Sequence, residues 1–379
     1  MKSNYKRLGN FIRPLDIRNR DLENNNLIGL SIQKVFIPSI SNTIGTDMST
    51  YRIINHNQFA YCPVTSRNGE KITIALYDKD KTAMISQAYD VFEITNSREL
   101  LPEYLMMWFR RPEFDRYARF ISHGSVREMF SWEDLCEVKL PIPALEKQKE
   151  IVKEYNIITD RIALNNRLIQ KLEETAQAIY KQWFVDMEDG AKEKVQIEKY
   201  LLINPNLSIK KDALVRYVEM SDLSTDSMCI NGFIRRPFTA GSKFQLNDTL
   251  LARITPCLEN GKTGFVNFLD ENEIAYGSTE FIVMRAKNNI SPYWVYCLAK
   301  DENFRSYAIS SMVGSSGRER VHEDYLKHYL IGKLDYKLIA DFHNLVKPIF
   351  ELVANKNIQR QKLEITKNLL LSKLATIEI

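Results

Sequence analysis

Two loops in this sequence combine the residue types that grip nucleic acid. One is His123-Gly124-Ser125-Val126-Arg127 and the other is Gly314-Ser315-Ser316-Gly317-Arg318-Glu319-Arg320. Glycine lets backbone N–H groups approach an anion closely, serine donates to a phosphate or a base, and arginine forms a bidentate pair with guanine. Further cations fall in the same parts of the chain: Arg67, Lys71, Arg110, Arg111, Arg116 and Arg119 near the first loop. Arg235, Arg236, Lys243, Arg253, Lys262, Lys300 and Arg305 lie near the second. Taken singly, each is more often a solvated surface charge. The duplicated placement sets the group apart as candidate DNA contacts.

Catalytic chemistry has no comparable signature. Gly261-Lys262-Thr263 lacks the earlier glycine of a phosphate loop, because Pro256 stands there, so it reads as a hairpin turn. No GxGxxG follows a strand to hold a dinucleotide or methyl donor. No GxSxG elbow occurs, and Gly314-Ser315-Ser316-Gly317 has the wrong spacing for one. Glu133-Asp134 and Glu323-Asp324 read as helix starts, where acids favour the dipole and cap free N–H groups. The five cysteines are scattered and never form CxxC, so they are expected to be reduced and structural; the five histidines form no HExxH, so no metal site is expected.

The elements that must position the loops come in two copies. A shift of 190 places Pro102 on Pro292, Phe114 on Phe304, Tyr117-Ala118 on Tyr307-Ala308, Gly124-Ser125 on Gly314-Ser315 and Glu133-Asp134 on Glu323-Asp324. With a one-residue slip, Arg127-Glu128 falls on Arg318-Glu319. A colinear series spanning half the chain points to duplication. Each half begins with strands, expected at Lys71 to Leu76, Tyr89 to Thr95, Thr249 to Ile254 and Thr279 to Arg285, where β-branched and aromatic residues are bounded by Asn, Gly and Asp. A helix is expected next, at Pro102 to Arg111 and at Pro292 to Lys300, with proline where a missing N–H is harmless.

Each half closes with a long segment of helical period. In the first, Ile151, Tyr155, Ile158, Ile162, Asn165, Ile169, Leu172, Ala176, Ile179 and Trp183 alternate spacings of three and four, the narrow apolar seam of a coiled coil. In the second, Phe342, Leu345, Ile349, Leu352, Leu363 and Leu370 continue the theme with polar breaks at Lys356 and Gln359. The two seams are each other's obvious partner; the alternative is two amphipathic helices lying on separate cores, and the unbroken heptad of the first favours the coiled coil. Asn165, matched to Asn355, is a candidate for fixing register, or equally a solvated break in the seam. A helix of roughly 40 residues would be about 60 Å long and able to hold two domains apart.

The bulk numbers agree. At 379 residues the chain is too long for one ordinary core, and 44% hydrophobic with 26% charged residues is the profile of a soluble globular protein. The net charge of +4, from 52 Lys and Arg against 48 Asp and Glu, excludes a polycationic binder, so any basic surface is local. No apolar run approaches the ~20 residues a spanning helix needs, and a cytoplasmic location with no membrane partner is expected.

These features together resemble the specificity subunits of type I restriction-modification enzymes, over essentially the whole chain. The strongest piece is Leu140 to Asp186, LPIPALEKQKEIVKEYNIITDRIALNNRLIQKLEETAQAIYKQWFVD, which is similar to that family's central conserved region. Met84 to Ile94 (MISQAYDVFEI) and Tyr276 to Met284 (YGSTEFIVM) resemble recurrent strands of its target-recognition domains. The segment Asp335 to Leu374 departs, lacking the Pro-x-Pro opening and Trp-Phe ending.

The resemblance implies an α+β fold in which two similar α/β target-recognition domains, 1–143 and 191–333, are separated by two long helices. These helices, 144–190 and 334–379, would pack as an antiparallel coiled coil in a pseudo-twofold repeat. It further implies a non-catalytic reader of a bipartite, asymmetric sequence in double-stranded DNA, docking two methyltransferase subunits and restriction (translocase and nuclease) subunits. S-adenosylmethionine, ATP and Mg would then be held by those partners, with no cofactor on this chain. Two other readings stand beside it: a self-contained DNA methyltransferase or nuclease with degenerate motifs, and a coiled-coil scaffold.

Overall fold

A computed structural model describes residues 5–39, 45–66, 69–122, 128–186, 193–315 and 317–376. The chain forms two compact units, Met1–Arg161 with Leu363–Ile379, and Ile162–Lys362.

In the first unit the order is β1 (Tyr5–Arg7), β2 (Ile12–Leu15), β3 (Ile28–Leu30), β4 (Phe36–Pro38), β5 (Arg52–Ile54), β6 (Gln58–Tyr61), β7 (Ile74–Leu76), β8 (Ala83–Ile85) and β9 (Asp90–Ile94). Helices α1 (Pro102–Phe109), α2 (Pro112–Ile121) and α3 (Trp132–Glu137) follow, then β10 (Lys139–Pro141) and the start of α4 (Leu145–Tyr180). The main sheet has the order β2-β9-β6-β7, all antiparallel, while β1 pairs with β10, β3 with β4 and β5 with β8. Strand β6 is buried along its whole length, and its Phe59 stacks on Phe92 of β9 at 4.9 Å, with Phe109 of α1 edge-on at 5.9 Å. Helix α1 opens on proline without a side-chain cap and is buried on nearly every side, as its run of Tyr, Leu, Met, Trp and Phe requires. Helix α3 starts with a capping box, the Ser131 hydroxyl accepting from Asp134 N–H while Asp134 accepts from Ser131 N–H. The acid pair Glu133-Asp134 is thus a helix start, as its sequence context suggested.

The second unit repeats the order: β11 (Lys194–Gln196), β12 (Leu201–Ile203), β13 (Leu214–Val218), β14 (Ile234–Pro237), β15 (Ser242–Phe244), β16 (Thr249–Ala252), β17 (Thr263–Phe265), β18 (Ala275–Gly277) and β19 (Phe281–Ala286). Then come α5 (Pro292–Lys300), α6 (Glu302–Ser310), α7 (Glu323–Lys327), β20 (Leu330–Gly332) and α8 (Tyr336–Lys373). Its main sheet, β12-β19-β16-β17, has the topology of β2-β9-β6-β7, and β11 pairs with β20 as β1 does with β10. The remaining strands form one sheet, β14-β13-β18-β15, in which β13 and β18 run parallel. In the first unit the matching contact shrinks to a single parallel bridge, Leu27 to Met84. The duplication read from sparse identities is therefore a duplication of topology.

The long helices take part in both units. In the first, Ile151 and Tyr155 of α4 share a core with Leu371 of α8 and with Leu374 just beyond it. In the second, Ile169, Ala176, Tyr180 and Phe184 share a core with Phe342, Val346, Phe350 and Val353. The start of each helix lies on the end of the other, so the pair is antiparallel. Along α4, Ile162, Asn165 and Ile169 are buried, with Ile158, Leu172, Ile179 and Trp183 half-buried beside them.

The second seam is corrected by one position. Leu345, Leu352 and Asn355 are exposed, and the buried row is Ile339, Phe342, Val346, Phe350, Val353 and Asn357, with Ile349, Leu363 and Leu370 half-buried at its flank. The cause is the offset of the repeat. Leu145 and Tyr336 both open the long helix, one residue further apart than Pro102 and Pro292, so Asn355 is not the partner of Asn165. Pro348 lies inside α8 on its exposed face, where the carbonyl it leaves unbonded meets water. Among the described residues no helix is long and apolar enough to cross a membrane.

Candidate nucleic-acid interface

The outer sheet of the second unit gathers three of the expected cations. Antiparallel pairing sets Arg236 of β14 across from Val215 of β13, and Lys243 of β15 across from Tyr276 of β18; the parallel pair sets Tyr217 beside Tyr276. Since side chains alternate along a strand, Arg236, Tyr217, Tyr276 and Lys243 share one face. The Arg236 guanidinium stacks 3.5 Å from the Tyr217 ring centroid, and its Nε donates to the Tyr276 hydroxyl at 2.9 Å. That hydroxyl donates onward to the Pro237 carbonyl at 2.7 Å. The terminal amino groups of Arg236 have no protein partner among the described residues. A guanidinium with one edge fixed and the other unengaged is chemically able to pair bidentately with a guanine or a phosphate.

Lys243 is tied down by donating to the Leu207 carbonyl at 2.9 Å, with Nζ 5.4 Å from the Phe238 ring centroid. The sheet brings β15 this close to β18 because Gly241 adopts φ +149°, where a Cβ would sit 2.1 Å from the Gly277 carbonyl oxygen. Arg235 projects from the other face of β14 and is exposed. Opposite it, Arg216 is neutralised by Glu273 at 3.2 Å and packs over Phe233 at 4.9 Å.

The Gly-Ser loop of the second unit is a hairpin closed by paired bonds between Val313 and Arg320. Gly314 and Gly317 take φ of +142° and +77°, which L side chains rarely adopt. Ser315 and Arg318 are exposed at the tip, whereas Arg320 is neutralised by Glu280, with three bonds of 2.7 to 3.0 Å. The hairpin is fastened to the β16–β17 connection: Thr255 N–H donates to the Glu319 carbonyl at 3.0 Å and Val321 N–H to that of Arg253 at 2.8 Å. The Gly261-Lys262-Thr263 turn ends this connection between antiparallel strands. Lys262 donates from Nζ to the Met220 carbonyl at 2.8 Å, and half-buried Arg305 lies against Gly261. Arg253, also half-buried, reaches back to the Val321 carbonyl at 3.5 Å.

The first unit offers less. Arg67, His123, Ser125 and Arg127 lie outside the described residues, as does Ser316 in the second unit. Lys71 is exposed, and Arg119 is paired with Glu128 at 2.5 Å. Arg110 donates to the Tyr155 hydroxyl of α4 at 3.2 Å. Arg111 is a correction: it is 6% exposed, stacks 4.2 Å from the Trp108 ring centroid and is not placed to meet DNA. Its long stem and planar head pack as core, and burial pulls its pKa down.

Several buried polar anchors carry no local sequence signal. Lys34 pairs with Asp115 at 2.7 Å, and Asp115 also accepts the Ile72 N–H at 3.1 Å. Asp248, fully buried, takes a bidentate bond from Arg285 at 2.6 and 2.7 Å. Gln148 brackets the start of α4 by accepting Leu101 N–H and donating to the Glu99 and Pro143 carbonyls at 2.7 to 2.9 Å. Each joins residues dozens of positions apart. Among the described residues no cluster of His, Cys, Asp and Glu is fit to hold a metal ion, and all five cysteines are unpaired.

Residues 19–174 match the family described as the type I restriction modification DNA specificity domain. The chain is similar to that domain over this segment, which is less than half of its length. It is 28% identical over 160 residues to the type I restriction enzyme HindI specificity subunit of Haemophilus influenzae, covering 41% of this chain and 34% of that protein. It is 23% identical over 305 residues to the MjaIX specificity subunit of Methanocaldococcus jannaschii, covering 74% of this chain and 69% of that one. The matched region thus spans about a third of the first relative's length and about two thirds of the second's. In fold, the chain is similar over 99% of its length to the S subunit of the type I restriction-modification system of M. genitalium, with a TM-score of 0.58 at 11% identity. That likeness is one of fold, which in this chain is two similar α/β regions and two long antiparallel helices.

Proposed function

We propose that this chain is the non-catalytic DNA-reading subunit of a type I restriction-modification system. Its two recognition domains, 1–143 and 191–333, each read one half of a bipartite, asymmetric target in double-stranded DNA. The long helices, 144–190 and 334–379, set the distance between the half-sites and dock two methyltransferase subunits, with translocase and nuclease subunits joining for restriction. S-adenosylmethionine, ATP and Mg belong to those partners, and the work is done in the cytoplasm.

The observation that carries this reading is the duplication of one topology with different surface chemistry. The stacked Arg236 of the second unit sits on β14, and the matching strand of the first, β4, reads Phe36-Ile37-Pro38 with no cation. Two scaffolds alike in fold but unlike in contacting groups are what an asymmetric bipartite target demands. The DNA-contacting set comprises Arg235, Arg236, Lys243, Ser315 and Arg318 in the second domain and Lys71 with the 123–127 loop in the first. The test is binding of the chain, alone and with its methyltransferase, to DNA of defined sequence over a range of salt. Weak binding alone and sequence-selective, salt-dependent binding of the complex support the reading. A complex that binds a shuffled target equally well overturns it.

A further inference from the structure

We propose that a cleft in the second unit is a binding site for a single guanidinium or primary ammonium group, seated on the carboxylate of Glu173. The cleft has a volume of about 720 Å³ and is bounded by α4, α5, α8 and the segment 224–227. Glu173 accepts the Met228 N–H at one oxygen (2.7 Å) and the hydroxyl of buried Tyr296 at the other (2.9 Å). An ionised carboxylate has about four acceptor positions, so each oxygen keeps unused capacity.

What Glu173 lacks is a cation in direct contact, since Lys300 acts on it only through space. Among the described residues it forms no ion pair. The cations nearby are held on neutral acceptors: Lys300 donates to the Thr225 carbonyl at 2.9 Å and the Gly261 carbonyl at 3.4 Å, and Arg360 to the side chains of Asn231 and Asn357 at 2.7 Å each. Burial pushes the Glu173 carboxyl up to about 7, opposed by its two hydrogen bonds and by Lys300. A cation brought into the cleft would pair directly with the carboxylate, and the rings of Tyr296 and Phe350, which also line the cleft, favour cations at their faces. Exposed Asp226 at the same cleft adds attraction from outside.

The first unit provides an internal contrast. The repeat puts Met106 where Tyr296 stands, and on α8 the counterpart of Glu173 is Glu364, which is ion-paired with Lys367. The site thus belongs to the second unit. The cation has two possible sources, a free amine or guanidine and a side chain of a partner subunit, which share one chemistry.

Agmatine, which carries both head groups, is titrated calorimetrically into the full chain at pH 7 in phosphate and in Tris. The expected result is saturable one-to-one binding that Glu173→Gln weakens at least about tenfold. The heat should differ between buffers because Glu173 releases its proton as the cation seats. Glu173→Gln keeps the shape of the side chain and an acceptor for Met228, and circular dichroism confirms its fold; Asp226→Asn, on the rim, should weaken binding by less. Absence of saturable binding, or equal binding by Glu173→Gln, overturns the proposal. Repeating the titration on the chain bound to its methyltransferase separates the sources: a blocked site means a partner side chain occupies it, and an open one means a free cation does. The agmatine arm uses neither DNA nor partner, so its failure leaves the proposed function untouched.

Discussion

Arg236 is the residue on which the proposed DNA recognition by the second unit is most specifically staked. Its guanidinium is planar, stacked and fixed along one edge, so little further order is lost when it meets a guanine. Arg236→Ala should weaken cognate DNA binding by the methyltransferase complex roughly tenfold or more while shuffled DNA is little affected. Arg236→Lys should recover little, since an ammonium neither stacks nor forks. Competition binding at fixed salt measures this; an equal loss on all sequences would reduce Arg236 to a phosphate contact. Glu173 gives a separate prediction. Its carboxyl ordinarily titrates near 4.5 and is raised to about 7 in the folded chain. The folded state therefore holds the proton more tightly, and stability present below the ordinary value is lost as pH rises through about 7. Urea unfolding should show Glu173→Gln removing about 1 to 3 kcal/mol of that decline. Individual cations of the second unit were legible as candidates in its sequence, but residue type alone does not separate Arg236, stacked at a surface, from Arg111, stacked in a core. That distinction depends on which ring lies beneath and what covers it.

At the scale of elements, the long helices make the sharpest claim. Phe350 is buried among aromatic rings, 4.5 Å from Tyr293 and 5.6 Å from Phe265, while Leu345 is 47% exposed. Phe350→Ala should cost about 3 to 5 kcal/mol and Leu345→Ala no more than about 0.5. The reverse order in denaturant melts would restore the register suggested by Leu345 and Leu352. Asn165 is 2% exposed, and its Nδ2 has no hydrogen-bond partner among the described residues. Asn165→Leu is expected to raise stability by about 1 kcal/mol or more, since an unsatisfied buried donor costs roughly 1 to 3. A loss of stability instead would mean that the amide is satisfied in solution. The first seam could be read because it is unbroken over ten positions. The second slipped by one because its polar breaks allow two registers and the offset of the repeat shifts within each half. The strands were found where β-branched runs are long, at β9 and β19, and missed where they are three residues of ordinary composition, as at β3 and β4.

At the scale of the whole molecule, the chain is one topology used twice, and the helices that close each copy complete both cores. That arrangement was visible from ordered identities such as Pro102 with Pro292 and Phe114 with Phe304, because duplicated buried positions diverge slowly in type even when surfaces do not. The surfaces, to which the proposed function assigns the choice of DNA, are where the copies differ, and no periodicity encodes them. The central claim is that two unlike recognition surfaces in one chain direct modification to a two-part target. Its most direct test is co-expression with the methyltransferase, followed by the mass of the complex and mapping of methylated positions on random-sequence DNA. The expected result is two methyltransferases per chain and one asymmetric bipartite motif with a fixed gap, whose second half alone changes when the sheet carrying Arg236 is altered. A symmetric or single-part motif, or methylation indifferent to this chain, would contradict it.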